Sequence, residues 1–359
     1  MTATVITAVD ARPFDAALHE PFGIAGGAAD VARNALVTVE LSDGTRGYGE
    51  AAPLPPYNGE TQARTLDALA LVAPIARGAD ARAWRELARA VGERIPHAGA
   101  ARCALETAVL DALTRRAGMP LWALFGGAAR ALETDVTIPT GDVEHAAARA
   151  ARWRELGFRS LKVKVGAAGA DDAARVEAIA RAAPGCALTL DANASMTADA
   201  ALALLAALRT RGVSIALLEQ PVAKDDLAGL RRVAAGGAPV AADESAVDAR
   251  DVPRLGLTAP HVVNVKIMKA GVVAALDLAI AARAHGLGLM IGGMVETRLA
   301  MTTSACLAAG LGGFSYVDLD TPLFFVDEPF TGGFEQRGPR LDLAGVTAGH
   351  GVLPVGDLR

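Results

Sequence analysis

The sequence predicts an α/β fold of the (β/α)8, TIM-like barrel type, accompanied by a smaller α+β capping domain. Short apolar runs alternate with Ala-rich amphipathic segments after Gly127, as buried parallel strands alternate with helices. The eight runs span residues 134–139, 160–165, 187–191, 214–219, 239–243, 261–266, 287–291 and 314–319. No glycine-rich phosphate-binding turn follows the first run, so we favour a barrel over a doubly wound open sheet.

The two ends of the chain differ from this repeating middle part. Residues 35–41 and 45–50 flank an Asp-Gly turn and predict a hairpin, whereas residues 61–117 have helical spacing. Residues 20–30 are rich in glycine and predict a mobile loop between the first strand and the hairpin. The predicted units are a capping domain with a mobile specificity loop (1–125), a barrel (126–322) and a C-terminal segment that returns to the capping domain (323–359).

Composition excludes several classes of protein. The 359 residues are 52% hydrophobic and 21% charged, which excludes intrinsic disorder. The net charge of −5 argues against nucleic acid as a partner, because phosphate binding needs a basic surface. The longest uncharged stretch, residues 299–317, is too polar for a membrane span, and the three cysteines suit neither a disulfide framework nor a zinc site. Since no basic start precedes an apolar run at the N-terminus, we expect a cytoplasmic protein.

Charged residues stand at or near the ends of six of the eight apolar runs. They are Lys162, Lys164, Asp191, Glu219, Asp243, Lys266, Asp318 and Asp320. In a barrel the carboxyl ends of the strands converge on one mouth, so these side chains are expected to form one site.

The three acids on adjacent runs, Asp191, Glu219 and Asp243, predict a metal centre. Three carboxylates at one mouth repel each other unless a cation neutralises them, and an all-oxygen set suits Mg²⁺. The alternative is that each acid caps the helix that follows it.

The lysines predict acid–base chemistry. Lys162 and Lys164 share one face of a strand, and Lys266 lies across the barrel from them, with the acidic strands between. A nearby ammonium group and a divalent ion both favour loss of a proton from a lysine. A lysine on each face of a metal-bound carboxylate indicates two-base 1,1-proton transfer through an enediolate, hence racemisation, epimerisation or a related β-elimination. The alternative is that the lysines only neutralise the acids as ion pairs. We interpret Lys269 as a loop residue.

With these residues in place, the chain resembles the enolase superfamily, in its muconate-lactonising subgroup, over nearly its whole length. The matching motifs are GYGEAAP (47–53), ALETAVLD (104–111), LWALFGG (121–127), LKVKVG (161–166), DAN (191–193), EQP (219–221), DES (243–245) and KIMKAG (266–271). The resemblance implies a modified (β/α)7β barrel with a capping domain, and lysine bases that work with Mg²⁺. It implies that Asp191, Glu219 and Asp243 are the Mg²⁺ ligands. It also implies that Lys164 and Lys266 are the bases and that Lys162 helps to bind the substrate carboxylate.

Within that subgroup, Asp318-Leu319-Asp320 resembles the Asp-x-Asp signature of dipeptide epimerases, where the pair holds the substrate ammonium group. Residues two apart on a strand share a face, so both carboxylates can pair with one cation. The alternative is helix capping or hydration at the rim. Thr137 matches a substrate-contacting threonine of that family, and we interpret Glu296 as a structural acid.

One departure from the family concerns substrate choice. Enzymes of this kind that act on Ala-Glu carry an arginine in the mobile N-terminal loop, whereas residues 22–27 here contain no basic residue. Phe22 and Ile24 instead suit an apolar substrate side chain, because an apolar pocket rejects an unpaired charge. We therefore expect a dipeptide whose C-terminal side chain is not Glu.

Other functions remain open at this point. Other subgroup members, namely N-succinylamino-acid racemase, o-succinylbenzoate synthase and muconate cycloisomerase, share the lysines and the metal, but their substrates carry no ammonium group opposite the Asp pair. A Schiff-base aldolase also uses a barrel lysine, and a barrel that only binds peptides is a non-enzymatic alternative. The expected partner is a small dipeptide, with no nucleic acid or membrane, and the sequence leaves open whether the chain forms a homo-oligomer.

Overall fold

The computed structural model describes residues 3–24, 27–167, 171–256 and 260–356, with side chains described outside residues 22–29. The strands are β1 (Ile6–Ile24), β2 (Gly27–Leu41), β3 (Arg46–Ala51), β4 (Leu132–Glu133), β5 (Val136–Ile138), β6 (Ser160–Lys164), β7 (Ala187–Asp191), β8 (Leu217–Glu219), β9 (Val240–Ala242), β10 (Val262–Val265), β11 (Gly288–Ile291), β12 (Phe314–Val317), β13 (Phe330–Gly332), β14 (Glu335–Arg337), β15 (Arg340–Asp342) and β16 (Val352–Pro354). The helices are α1 (Pro55–Asn58), α2 (Gln62–Ala76), α3 (Trp84–Arg94), α4 (Gly99–Arg116), α5 (Leu121–Leu124), α6 (Val143–Glu155), α7 (Asp172–Ala182), α8 (Ala198–Thr210), α9 (Leu227–Ala234), α10 (Val252–Gly256), α11 (Ile267–Ala270), α12 (Val272–Ala284) and α13 (Arg298–Leu311).

Strands β5 to β12 form one parallel sheet in which spatial order follows chain order. The amide of Asp135, just before β5, donates to the carbonyl of Val317 at the end of β12 over 2.9 Å, which joins the two edges into a barrel. An apolar cluster of buried side chains fills the end of the barrel that faces away from the charged mouth; its buried members are Leu217, Ala241, Val262 and Met290. All eight predicted strands are confirmed. None of the described helices has the length and apolar character that a membrane crossing requires.

The capping domain consists of the antiparallel sheet β1-β2-β3 and helices that pack against it. Helix α4 lies so close to β3 that a Cβ atom on Gly47 would come within 2.2 Å of the Ala108 carbonyl oxygen. On Gly49 a Cβ atom would come within 1.9 Å of the Ala104 carbonyl oxygen. The two glycines of the GYGEAAP motif are therefore required by the contact between helix and strand.

The prediction of a loop over residues 20–30 is wrong for the backbone that is described. Residues up to Ile24 continue β1 and residues from Gly27 belong to β2, with Phe22 opposite Ala29 and Ile24 opposite Gly27. The glycines do not prevent an antiparallel ladder, because each strand supplies hydrogen-bond partners for the other. The side chains of Phe22 and Ile24 lie outside the described residues, so their predicted contact with substrate stays a prediction.

A buried carboxylate joins the capping domain to the barrel. Glu50, in β3, accepts hydrogen bonds from the amide and the hydroxyl of Thr297 at 3.0 and 2.7 Å, and from the amide of Ala300 at 3.1 Å. These groups belong to the N-terminal turn of α13, whose free amides and dipole favour a negative charge.

The C-terminal part of the chain also contacts the capping domain. The Nε2 atom of His350 lies 2.9 Å from the carbonyl oxygen of Tyr48.

Candidate active site

The charged residues that the sequence singled out lie together at one mouth of the barrel. Asp191 and Glu219 are the last residues of β7 and β8, whereas Asp243 and Lys266 directly follow β9 and β10. Lys162 and Lys164 lie on β6, and Asp318 and Asp320 follow β12. The register of neighbouring strands explains this arrangement, since Lys164 is paired with Asp191 and Asp191 with Glu219.

Lys162 is the buried cation at the centre of the acidic groups. Its Nζ atom lies 2.6 Å from Asp318 Oδ2, 2.8 Å from Glu219 Oε2 and 3.1 Å from Asp191 Oδ2. Burial alone would lower the pKa of Lys162, but the charges of Asp318, Glu219 and Asp191 outweigh it and raise that pKa well above its ordinary value. Lys162 is therefore a fixed positive charge in the floor of the site.

Lys164 and Lys266 approach the acidic groups from different strands. Lys164 Nζ lies 2.6 Å from Asp191 Oδ2 and 3.2 Å from Asn193 Oδ1. Lys266 Nζ lies 2.8 Å from Asp243 Oδ2. Both amines line the same cavity, so a molecule bound there can contact both of them.

The three predicted metal ligands are fully buried and carry only oxygen donors. The ammonium groups of Lys164 and Lys162 hold the pKa of Asp191 below its ordinary value, although burial alone would raise it. Burial, together with the charge of Asp191, raises the pKa of Glu219 to about 7. Buried carboxylates of this kind need cations, and an all-oxygen donor set of three carboxylates fits Mg²⁺.

Backbone strain surrounds these ligands. Asn193, Ala194 and Gln220 have φ angles of 44°, 62° and 32°, in the left-handed region that non-glycine residues rarely occupy. The Gln220 side-chain oxygen accepts hydrogen bonds from the amides of Asp243 and Ser245 at 2.9 and 3.1 Å. Gln220 thus fixes the loop that presents the third acid. The EQP motif is the only sequence signal for this role.

A second group of carboxylates lies beside Lys162, and two of its members, Asp318 and Asp320, line the cavity. One oxygen from each of Asp135, Asp318 and Asp320 lies within 4.8 Å of the others. Asp320 Oδ2 accepts a hydrogen bond of 2.5 Å from the amide of Thr137, so the predicted threonine orients this acid through its backbone. Burial and the charge of Asp318 raise the pKa of Asp320 to about 7. Asp135 was missed by sequence reasoning, because it precedes the first barrel strand and reaches the pair only when the sheet closes.

The cavity has a volume of about 350 Å³ and partly apolar walls. Leu54 and Tyr57 contribute from the capping domain, and Met294, Val295 and Met301 contribute from the barrel. The capping domain therefore forms part of the wall around a bound molecule.

Three further residues differ from or add to the sequence analysis. The interpretation of Lys269 as a loop residue is wrong, because its side chain is fully buried and Nζ lies 2.5 Å from Asp243 Oδ1. Glu296 is also fully buried, accepts a 2.7 Å hydrogen bond from the Met294 amide, and has its pKa raised to about 8 by burial. Glu244 lines the cavity beside Asp243 and was not singled out from the sequence.

Comparison with known proteins agrees with this geometry. Residues 5–126 match the model of the mandelate racemase/muconate lactonizing enzyme N-terminal domain, and residues 145–356 match that of the enolase C-terminal domain-like family. The chain belongs to the enolase superfamily. Among its relatives, the aromatic dipeptide epimerase of Herpetosiphon aurantiacus is 50% identical over 97% of this chain and 99% of its own length.

Solved structures of this superfamily superpose closely on the chain. The dipeptide epimerase of Enterococcus faecalis, complexed with Mg and L-Leu-L-Tyr, has a TM-score of 0.93 at 34% identity and covers 97% of this chain and 99% of its own. The substrate-liganded L-Ala-D/L-Glu epimerase of Bacillus subtilis has a TM-score of 0.95 at 30% identity and covers 98% and 100%.

Proposed function

We propose that this protein is a Mg²⁺-dependent dipeptide epimerase, an isomerase that inverts the α-carbon of the C-terminal residue through Lys164 and Lys266. The observation that carries the proposal is one cavity lined by two lysines and a carboxylate pair. Asp318 and Asp320 form the pair suited to an ammonium group, and Lys164 and Lys266 are each ion-paired with a buried acid suited to a metal, Asp191 and Asp243. Relatives at 50% and 38% identity are named dipeptide epimerases, which supports this reaction class.

The charged groups around the cavity fix the orientation of a dipeptide. Its ammonium group pairs with Asp318 and Asp320, and its carboxylate lies beside Lys162 on the side of Asp191 and Glu219. The α-carbon next to the carboxylate then lies between Lys164 and Lys266. Because the reacting carbon must adjoin the metal-binding acids, the C-terminal residue is the one that inverts.

Each of the two lysines transfers its own proton to or from the substrate. One lysine takes the α-proton from one face, and the other returns a proton to the opposite face. When bound by Asp191, Glu219 and Asp243, Mg²⁺ supplies positive charge that offsets the carboxylates and stabilises the negative charge that develops on the substrate carboxylate. Lys162 adds a second fixed positive charge beside Glu219.

The walls of the cavity support a hydrophobic or aromatic substrate side chain. Leu54, Tyr57, Met294 and Val295 offer apolar surface, and burying an unpaired carboxylate such as that of Glu against it is costly. The relative at 50% identity is named an aromatic dipeptide epimerase. We therefore propose that the C-terminal side chain of the substrate is not Glu.

The experiment is a mass-spectrometric screen of dipeptides in D₂O with the purified protein and Mg²⁺. We expect one deuterium at the C-terminal α-carbon of L-Ala-L-Phe or L-Leu-L-Tyr, together with formation of the epimer. L-Ala-L-Glu should react much more slowly, and preferred turnover of that dipeptide would refute the specificity. If N-succinyl-phenylalanine exchanges and no dipeptide does, the protein is not a dipeptide epimerase.

A further inference from the structure

Arg175 is a buried arginine outside the cavity that contacts the strand carrying one of the two bases. It lies on α7, and only 2% of its surface is exposed. Its guanidinium group donates to the carbonyl oxygen of Lys164 and, over 3.3 Å, to that of Pro139. It also forms an ion pair of 3.1 Å with Asp172 on the same helix.

The sequence explains why a guanidinium group is needed at this place. Strand β5 ends at Ile138, and Pro139 has no amide hydrogen with which the ladder to β6 could continue. Buried carbonyl groups need donors, and the planar guanidinium group can serve two of them at once. Asp172 completes the arrangement by accepting a 2.7 Å hydrogen bond from the amide of Gly166, two residues after Lys164.

We infer that Arg175 is a positioning residue for Lys164, and this inference rests on the proposed function. The peptide group of Lys164 is held on one side by Arg175, and the chain just beyond it is held by Asp172. Lys266 lies after β10, and the hydrogen bonds of Arg175 in the described part of the chain do not involve it. Loss of Arg175 therefore displaces one amine and leaves the other in place.

This difference between the two amines gives a measurable signature. Each epimer of the substrate is deprotonated by one lysine, so a fault at Lys164 slows exchange of one epimer more than that of the other. A misplacement of about 1 Å can lower a rate about 100-fold. A loss of fold stability or of metal affinity acts on both epimers alike, so the asymmetry separates positioning from general damage.

The test measures the rate of α-proton exchange in D₂O with saturating Mg²⁺, separately for L-Ala-L-Phe and L-Ala-D-Phe. Lys164→Ala and Lys266→Ala first establish which epimer each lysine deprotonates. Exchange is measured instead of net epimerisation, because the equilibrium constant fixes the ratio of kcat/KM for the two directions of net epimerisation. Net epimerisation therefore cannot show the asymmetry between the two lysines. Arg181→Met is the matched control, since Arg181 lies on the same helix with an exposed side chain paired to Glu177.

We expect Arg175→Met to slow exchange of the epimer that Lys164 deprotonates about tenfold more than exchange of the other, which corresponds to about 1.4 kcal/mol. Arg175→Lys keeps the charge with a single donor group and should show the same asymmetry to a smaller extent. This variant carries the test if Arg175→Met fails to fold. Equal loss for both epimers, or no loss in either variant, would overturn the inference. If the unmodified protein and Arg181→Met exchange neither epimer, the proposed function itself is wrong.

Discussion

Lys162 Nζ lies 2.6 Å from Asp318 Oδ2 and 2.8 Å from Glu219 Oε2, so one buried ammonium group bridges two groups of acids. Glu219 belongs to the acids proposed to bind Mg²⁺, whereas Asp318 belongs to the pair proposed to bind the substrate ammonium group. The charge balance of one group therefore depends on the other, because both carboxylates share the same cation.

Replacing Lys162 with Met should raise KM for a dipeptide about tenfold or more, equivalent to roughly 1.4 kcal/mol of binding. The substrate carboxylate loses a positive charge, and Asp318 loses its buried partner. The affinity for Mg²⁺ alone, measured by calorimetry, should stay the same or increase, because a cation next to the ligands has been removed. Unchanged KM together with weaker Mg²⁺ binding would contradict the assigned role.

The pKa of Asp320, raised to about 7 by burial and by the charge of Asp318, predicts a pH dependence of substrate binding. Only the ionised carboxylate pairs with an ammonium group, so KM should rise about tenfold as the pH falls from about 8 to about 6. Asp320→Asn should have a high KM that no longer changes over this range. Steady-state kinetics at several pH values measure both, and an unaltered pH profile in the variant would exclude Asp320 as the cause.

Lys269 should be important for stability. Its Nζ atom pairs with Asp243 and also donates to the carbonyl oxygens of Asp243, Ala246 and Asn264 at 2.7 to 3.0 Å. Lys269→Met leaves these buried groups without a donor and should lower the free energy of unfolding by about 3–5 kcal/mol. Denaturant unfolding measures this, with Lys224→Met at an exposed lysine as the control. Similar stabilities for the two variants would show that the buried cation is dispensable.

Glu106 predicts a pH dependence of stability. It lies on α4, accepts a 2.9 Å hydrogen bond from the Val273 amide at the start of α12, and has its pKa raised by burial to about 7. Because the folded pKa exceeds the ordinary value of 4.5, its favourable contribution is present below about pH 4.5 and is lost as the pH rises through about 7.

Glu106→Gln keeps the acceptor for the Val273 amide but cannot ionise. The free energy of unfolding of this variant, relative to the unmodified protein, should therefore increase by a few kcal/mol between about pH 4.5 and pH 8. Urea unfolding at both pH values measures the difference, with Glu86→Gln on the exposed face of α3 as the control. A difference that does not change with pH would contradict the account of Glu106.

The sequence predicts the barrel and most of the site because both depend on local patterns. Continuous apolar runs give the eight strands, and charged residues at or near the ends of six of them, such as Asp191 and Lys266, indicate the mouth. The residues that were missed depend on tertiary structure. Asp135 reaches the site only when the first strand meets the last, and Lys269, interpreted as a loop residue, is buried beside Asp243.

The loop prediction over residues 20–30 failed for a similar reason. Glycine-rich sequence carries little strand signal of its own, whereas an antiparallel partner supplies the hydrogen bonds that extend β1 to Ile24. Pairing between strands is thus the information that a local pattern lacks.

α-Proton exchange of both dipeptide epimers by Lys164→Ala and Lys266→Ala tests whether the two lysines act on opposite faces of the substrate. We predict that neither variant epimerises the dipeptide and that each still exchanges one epimer, a different one in each variant. Epimerisation by either variant at the rate of the unmodified protein, or exchange of the same single epimer by both, would contradict the assignment of these lysines to opposite faces of the substrate.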